Sequence, residues 1–232
     1  MDNVFYASPR DFAENRATIA ISGQEAHHIT KVLRKKEGDI IIVADGEGKH
    51  FRCTITLTTR QQVIASCLEE QSRPKPVTRK TLALGVLKKR DRLEFAVEKA
   101  VELGATEICL FDAVHSERNR LKEDRIELVI TSAFKQSGRF WMPKLTVLGS
   151  LEEVLLQYPD HEVVMAHEKV KVAEPVIPEK DAFLLLIGPE GGFSDPEVTL
   201  IEKTGGTLVS LGQNRLRAET AVTALLSFLL FR

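Results

Sequence analysis

AFLLLIGPEGGFSDPE, residues 182–197, gives the strongest indication of the fold class of this 232-residue chain. A six-residue apolar run leads into a loop with three glycines, which indicates a buried strand followed by a tight turn. We predict a helix after this turn, because Ser194 and Glu197 have capping-box spacing and Pro196 suits a first helical turn. A strand, a glycine-rich loop and a helix in this order are typical of a ligand-binding turn in an α/β sheet.

The loop matches neither common phosphate-binding pattern. Gly188, Gly191 and Gly192 do not form G-x-G-x-x-G, and no Lys-Ser or Lys-Thr pair follows them. A second junction between a strand and a loop, LVSLGQNRLRAETA, follows at residues 208–221. Because the carboxyl ends of parallel strands meet at one edge of a sheet, we expect both loops to form the walls of one pocket. Each loop by itself is equally compatible with a tight turn chosen for its backbone geometry.

The rest of the chain shows two different patterns. Residues 1–72 contain short strands, one helix and a glycine-containing hairpin turn at 45–48, which predicts a small β domain. Ser22 and Glu25 have capping-box spacing, which predicts the start of its helix. The two prolines of SRPKPVTR, residues 72–79, mark a boundary. Apolar strands and amphipathic helices alternate from there, so we predict that residues 73–232 form an α/β domain with a mainly parallel sheet.

The overall charge of the chain singles out no partner, because 32 basic residues nearly balance 33 acidic ones. The charge is nevertheless uneven. Residues 73–92 contain eight Lys or Arg residues and one acid, Asp91. Such a run is typical either of a surface that binds phosphates or of a solvated linker with an exposed strand edge, and the composition leaves both interpretations open.

Cysteine and hydropathy patterns favour a cytoplasmic protein without a membrane or metal partner. The three cysteines are far apart and lack C-x-x-C spacing, so we expect reduced thiols packed in the core. The start of the chain lacks a secretory signal, and the apolar segment 218–231 is shorter than the ~20 residues of a membrane-spanning helix. His27 and His28 point in different directions on a helix, which disfavours a metal site there.

Several sequence blocks, in order and across nearly the whole chain, closely resemble the RsmE family of ribosomal RNA methyltransferases in the SPOUT superfamily. The blocks are HHITKVLRKKEGD (27–39), EKAVELGATEI (98–108), HSERNR (115–120), KQSGRFWMPKL (135–145), and the pair IGPEGGFSDPE (187–197) and LGQNRLRAETA (211–221). The chain departs from the family pattern at Lys135, where the family usually has Glu, and at Asn214-Arg215-Leu216, where an Arg-Ile-Leu run is more frequent.

The resemblance implies an amino-terminal PUA-like β-barrel and a carboxy-terminal SPOUT α/β domain with a deep trefoil knot. It implies methylation of N3 of a uridine in 16S ribosomal RNA, numbered 1498 in the family, with S-adenosyl-L-methionine as the cofactor. It also implies a homodimer formed through the carboxy-terminal domain and acting on the assembled 30S subunit. The final helix is apolar on nearly all sides, which is expected if a second subunit covers the side that faces away from the core.

The resemblance also assigns residues to the site. The implied cofactor-binding residues are Ile187, Gly188, Pro189, Glu190, Gly191, Gly192, Leu211, Gly212, Asn214, Leu216, Arg217, Thr220 and Ala221. Glycines at 188, 191 and 192 would let main-chain groups approach the adenosyl part, since backbone amides and carbonyls can hydrogen-bond an adenine edge without a charged side chain.

Methylation at N3 requires loss of a proton from uracil, so a base or a cation that stabilises the developing anion is needed. Arg217, Glu219 and Arg139 are the candidate catalytic residues, with Arg217 favoured as the contact to uracil or phosphate. Glu117 and Arg118 are further candidates, and the residues do not single out one base. The candidate RNA-binding residues are Arg34, Lys88, Lys89, Arg90, Arg118 and Arg139.

Two other functions fit parts of the sequence. The glycine loops could belong to an enzyme of another class that binds ATP or NAD, although the expected fingerprints are missing. The β domain and the basic run could also belong to an RNA-binding module without catalytic activity. Cofactor titration distinguishes the first alternative from a methyltransferase, and a methyl-transfer assay distinguishes the second.

Overall fold

The chain folds into two compact units in the computed structural model, which describes residues 3–117, 121–168, 170 and 181–228. The first unit contains the chain up to Lys75 together with Phe134–Met142, and the second contains Pro76–Ala133 and the chain from Pro143. A domain boundary after residue 72 stays a prediction. The sequence did not indicate that Phe134–Met142 packs with the first unit.

The first unit is built on a five-stranded sheet, which confirms the predicted small β domain. Its strands are β1 (Val4–Tyr6), β2 (Thr18–Ser22), β3 (Ile40–Ala44), β4 (Lys49–Thr58) and β5 (Gln62–Ser72). The spatial order is β1-β3-β4-β5-β2, with β1 parallel to β3 and the other pairs antiparallel. The predicted hairpin turn joins β3 to β4, and Gly46 and Gly48 have positive φ there, as tight turns require.

The helix of the first unit differs from the prediction at its start. It consists of α1 (Gly23–His27), continued by a π-helical turn (His28–Val32). Ser22 occupies the N-cap position, but its side chain makes no capping hydrogen bond. The Glu25 carboxylate instead accepts hydrogen bonds from the Tyr6 amide and the Lys135 ammonium. The capping box predicted from Ser22 and Glu25 is therefore wrong.

Segment 134–142 returns to the first unit through aromatic contacts. Phe140 stacks on the His50 ring at a centroid distance of 3.8 Å. The Trp141 indole donates to the carbonyls of Arg73 and Pro74, both at 3.0 Å. A Cβ at Gly48 would lie 2.5 Å from the Trp141 ring, so a glycine is needed for this close approach.

The second unit contains a six-stranded sheet in which every neighbouring pair is parallel, as predicted. Its strands are β6 (Arg79–Gly85), β7 (Glu107–Phe111), β8 (Lys144–Leu148), β9 (Glu162–Ala166), β10 (Ala182–Ile187) and β11 (Thr207–Val209). The spatial order is β11-β9-β10-β6-β7-β8. All six residues of β10 are buried, because a parallel sheet is covered on both faces.

Five helices accompany these strands in the part of the second unit that the structure describes. They are α2 (Arg90–Glu102), α3 (Glu123–Ser137), α4 (Leu151–Gln157), α5 (Asp195–Lys203) and α6 (Ala218–Phe228), and the last turn of α3, from Phe134, belongs to the first unit. The capping box predicted for α5 is confirmed: Ser194 Oγ accepts from the Glu197 amide, and the Glu197 carboxylate accepts from the Ser194 amide at 2.7 Å. This cap holds the end of the glycine loop at a defined start of the helix.

Helix α6 packs against α2 and β10. Its residues Val222, Leu225 and Leu226 are buried, whereas Phe228 is 65% exposed. Residues 229–231, which complete the predicted apolar run, lie outside the described residues. Within the described part of the chain, no helix is long and apolar enough to cross a membrane.

Candidate functional site

A cleft of about 1030 Å³ lies at the carboxyl edge of the six-stranded sheet. The loops after β10 and β11 both line it, so the two junctions predicted to form one pocket do share one. Residues Ala166, His167 and Glu168, at the end of β9 and just after it, form a further part of the wall. The sequence reasoning missed these three residues, because no glycine or cap motif marks the end of β9.

The glycine loop after β10 packs tightly against the loop after β7. A Cβ at Gly191 would lie 2.8 Å from His115 Cβ, and a His115 ring nitrogen, Nδ1, is 3.1 Å from the Gly191 carbonyl oxygen. Gly191 has no positive φ, so close packing against His115 is the reason for glycine at this position. Gly192 differs, because its φ is +69° and a Cβ there would meet nothing within 4 Å.

The buried carboxylate of Glu197 connects the same two loops. One oxygen, Oε2, accepts hydrogen bonds from the amide and hydroxyl of Ser194 at 2.7 and 2.8 Å. The other oxygen, Oε1, accepts a hydrogen bond from the Val114 amide at 3.0 Å. Glu197 therefore caps α5 and also holds the loop that carries His115.

Lys88, which follows β6, joins this network at the surface. Its main-chain amide donates to Glu190 Oε2 at 3.1 Å, and its ammonium donates to Glu117 Oε1 at 2.7 Å. The hydrogen bond to Glu117 raises the pKa of Lys88 above its usual value. The loops after β6, β7 and β10 are therefore linked at the edge of the sheet where the cleft opens.

The loop after β11 forms the opposite wall. Arg217 lines the cleft, and its carbonyl accepts the hydrogen bond of the Ala221 amide as α6 begins. Arg215 forms an ion pair with Glu168 at 3.0 Å, which joins this loop to the end of β9. Gly212 has φ +128°, a conformation that side-chain-bearing residues rarely adopt.

Glu219, a predicted catalytic residue, is paired with a residue that the sequence reasoning did not select. Its carboxylate lies 3.6 Å from Arg92 Nε, and the two side chains are 13% and 23% exposed. Arg92 lines the cleft, whereas Glu219 does not. The pair joins the first turn of α6 to α2, which packs beside it. Arg92 could not have been singled out, because it is one of eight basic residues in the run 73–92.

Twelve of the thirteen predicted cofactor-binding residues line the cleft. They are Ile187, Gly188, Pro189, Glu190, Gly191, Gly192, Leu211, Gly212, Asn214, Leu216, Arg217 and Ala221. Thr220 is exposed and does not line it. A helical period of 3.6 residues puts neighbouring positions on different faces, which accounts for Ala221 lining the cleft while Thr220 does not.

The remaining predicted residues are spread over the fold. Arg139 lies in the segment that packs with the first unit, where its carbonyl oxygen is 2.9 Å from His50 Nε2 and burial lowers the pKa of its guanidinium to about 10. Arg34 belongs to the first unit, and the run 88–90 is exposed in the second. Arg118 lies outside the described residues. No cluster of three or more His, Cys, Asp or Glu side chains suited to a metal ion occurs among the residues that the structure describes.

Comparisons with known protein families match both parts of the chain. Residues 73–230 match the family described as "RNA methyltransferase domain", and residues 21–66 match "RNA methyltransferase PUA domain". A curated relative from Bacillus subtilis (strain 168), named ribosomal RNA small subunit methyltransferase E, is 28% identical. That alignment covers 95% of this chain and 93% of the relative.

Solved structures have the same fold over nearly the whole chain. A probable rRNA-methyltransferase from Porphyromonas gingivalis is 31% identical, with a TM-score of 0.84 and coverage of 98% of this chain and 96% of that one. A ribosomal RNA small subunit methyltransferase E from Neisseria gonorrhoeae, bound to S-adenosyl methionine, is 25% identical. Its TM-score is 0.86, with coverage of 98% and 96%.

Proposed function

Because this chain belongs to the RsmE family of RNA methyltransferases, we propose that it transfers a methyl group from S-adenosyl-L-methionine to N3 of a uridine in 16S ribosomal RNA. The observation that carries the proposal is the convergence of the loops after β10 and β11 on one cleft. These loops contain the two sequence blocks by which the chain most closely resembles the family.

The cleft has the residues that an adenosyl cofactor needs. Ile187, Leu211 and Leu216 supply apolar side chains for a flat ring system, and the glycine loop supplies main-chain groups for its polar edge. The volume of about 1030 Å³ is large enough for a ligand of this size. A lysine of the P-loop type is not needed, because this cofactor has no phosphate.

The cofactor, when bound, supplies a methyl group that its sulfonium has already activated. The residues of this chain then have to hold the uracil in line with that methyl group and favour loss of the N3 proton. We assign the second task to Arg217, because an arginine guanidinium is a cation that can stabilise an anionic uracil. Glu219 takes a positioning role in this proposal, since its carboxylate pairs with Arg92.

The RNA partner in this proposal is the small subunit of the ribosome. The first unit, with Arg34 and Arg139, and the exposed run 88–90 supply candidate phosphate contacts. We further propose a homodimer through the carboxy-terminal domain, a trefoil knot in that domain, and a cytoplasmic location. The family resemblance and the apolar character of α6 support the dimer.

The proposal is tested by single-turnover transfer of labelled methyl groups to 30S subunits that lack the modification. Digestion of the RNA and mass spectrometry of its nucleosides are expected to yield 3-methyluridine. Label in another nucleoside would contradict the assigned target, and RNA binding without transfer would support a binding module instead. Calorimetric titration provides a second check, because tighter binding of ATP or NAD than of S-adenosylmethionine would contradict the cofactor assignment.

A further inference from the structure

Two cysteines face each other across neighbouring strands of the first unit. Cys53 on β4 and Cys67 on β5 are register partners in the antiparallel ladder. Their sulfur atoms are 3.2 Å apart. Opposed residues of such a ladder have Cα atoms about 4.5–5.5 Å apart, which lies within the range of about 4.4–6.8 Å that a disulfide spans. The ladder register shifts between Arg52 and Cys53, and the short distance between the sulfur atoms shows that the two side chains meet beside this irregularity.

The two thiols differ in exposure and in protonation. Cys53 is fully buried, whereas Cys67 is half-buried at the edge of the same core. The Cys53 thiol donates a hydrogen bond to the Cys67 sulfur. This bond lowers the pKa of Cys67, because it stabilises the thiolate, and it raises the pKa of Cys53, which keeps its proton. Cys67 is thus the more solvent-accessible thiol and the better nucleophile. The buried Cys53 thiol is available to react with it in a second step.

We propose that Cys53 and Cys67 form a reversible oxidation site, at which hydrogen peroxide converts the two thiols into a cross-strand disulfide. The Cys67 thiolate attacks one peroxide oxygen and becomes a sulfenic acid, while the O–O bond breaks and the other oxygen leaves as hydroxide, which is protonated to water. The Cys53 sulfur then attacks the Cys67 sulfur, and the S–O bond breaks. The departing hydroxyl takes the Cys53 proton and leaves as a second water. The sulfurs lose two electrons in total, which the peroxide gains.

Cys109 provides an internal contrast. It is fully buried on β7 in the second unit, and burial raises the pKa of its thiol to about 12. A protonated thiol without solvent access is a poor nucleophile, so Cys109 stays reduced under conditions that oxidise the pair. Cys109→Ser is accordingly the matched control for substitutions in the pair.

The test is thiol counting and peptide mapping of the full chain after treatment with one equivalent of hydrogen peroxide. Trypsin separates the two cysteines, because Cys53 lies in the peptide 53–60 and Cys67 in the peptide 61–79, within which prolines follow Arg73 and Lys75. We expect two of the three thiols to disappear, these two peptides to become linked, and a reducing agent to restore both thiols. Retention of all three thiols, or a linkage that includes Cys109, would overturn the proposal.

Single substitutions test the order of the steps. Cys67→Ser is expected to keep its two remaining thiols, and Cys53→Ser to accumulate a sulfenic acid that dimedone traps. Oxidation of Cys67→Ser at the rate of the parent would contradict the role of Cys67 as the attacking thiol. The peptide map of the unsubstituted protein decides the proposal by itself, even if a variant fails to fold.

Discussion

Substitution of Gly191 by Ala tests the contact that holds the glycine loop. The new Cβ would lie 2.8 Å from His115 Cβ, whereas carbon atoms in contact prefer about 3.5–4.0 Å. One of the two loops must therefore move by about 0.7 Å or more. Gly191 does not have a positive φ, so an alanine causes no backbone strain there and the cost comes from the steric clash.

Overpacking of this kind costs about 1–3 kcal/mol. If the glycine loop keeps its position and His115 is displaced, the steric cost lowers the free energy of unfolding. If the loop relaxes away from His115 in the free protein, the cost is met when the cofactor binds, and the Kd for S-adenosylmethionine rises roughly 5- to 150-fold. We expect the loss of unfolding free energy and the loss of binding free energy to add up to about 1–3 kcal/mol. Thermal denaturation measures the first loss and calorimetric titration the second.

Variants of His115 supply the decisive comparison. His115→Ala keeps the residue-115 Cβ that causes the clash, whereas His115→Gly removes it. In the glycine variant, the nearest atom of residue 115 to the new Cβ at position 191 is the carbonyl oxygen, at 3.6 Å. Both variants remove the ring contact to the Gly191 carbonyl, so this effect cancels between them. Gly191→Ala should be costly in the parent and in His115→Ala, and nearly neutral in His115→Gly. An equal cost in all three backgrounds, or no cost in the parent, would refute the steric argument.

Three further predictions concern the proposed function and the surrounding network. Arg217→Ala should leave cofactor binding nearly intact while single-turnover methyl transfer falls ~10²- to 10³-fold, and normal turnover would show that the assigned role is wrong. Replacement of Lys88–Arg90 by Ala should lower RNA affinity and reduce the slope of log affinity against log salt concentration. The slope should fall by up to ~0.9 for each phosphate interaction lost on a duplex, and by less on single strands. An unchanged slope would identify the run as solvated surface. Glu197→Gln should lower the free energy of unfolding by about 1–3 kcal/mol, because an amide nitrogen would face a buried donor, while the exposed Glu202→Gln on the same helix should change it little.

Features that depend on neighbours a few residues apart could be predicted from the amino-acid sequence. The capping box of Ser194 and Glu197 is a three-residue relation, and its partners meet whenever the helix forms. The alternation of buried strands with amphipathic helices after residue 78 likewise depends on local periodicity, and it correctly predicted a parallel sheet. Strand β1 was not predicted, because three residues are too few to show a pattern and its partner β3 lies far along the chain.

The failed capping box at Ser22 shows where local reasoning stops. Its spacing matches that of the confirmed cap on α5, but the Glu25 carboxylate is bound by Lys135, which is 110 residues away in the chain. Lys135 reaches it only because segment 134–142 packs with the first unit. The Glu25 side chain is thus engaged in a tertiary ion pair in place of a local cap that is worth about 1 kcal/mol.

Contacts between side chains of different loops and helices at the cleft follow from the tertiary fold. His115 and Gly191 are 76 residues apart, and Val114 and Glu197 are 83 residues apart, yet both pairs are in contact. Arg92 reaches Glu219 because α2 packs on α6. The physical reason is the strand order β11-β9-β10-β6-β7-β8, which differs from the order in the chain. Packing of the whole sheet selects neighbouring strands, so local patterns did not show that the loop after β7 contacts the loop after β10, or that α2 contacts α6.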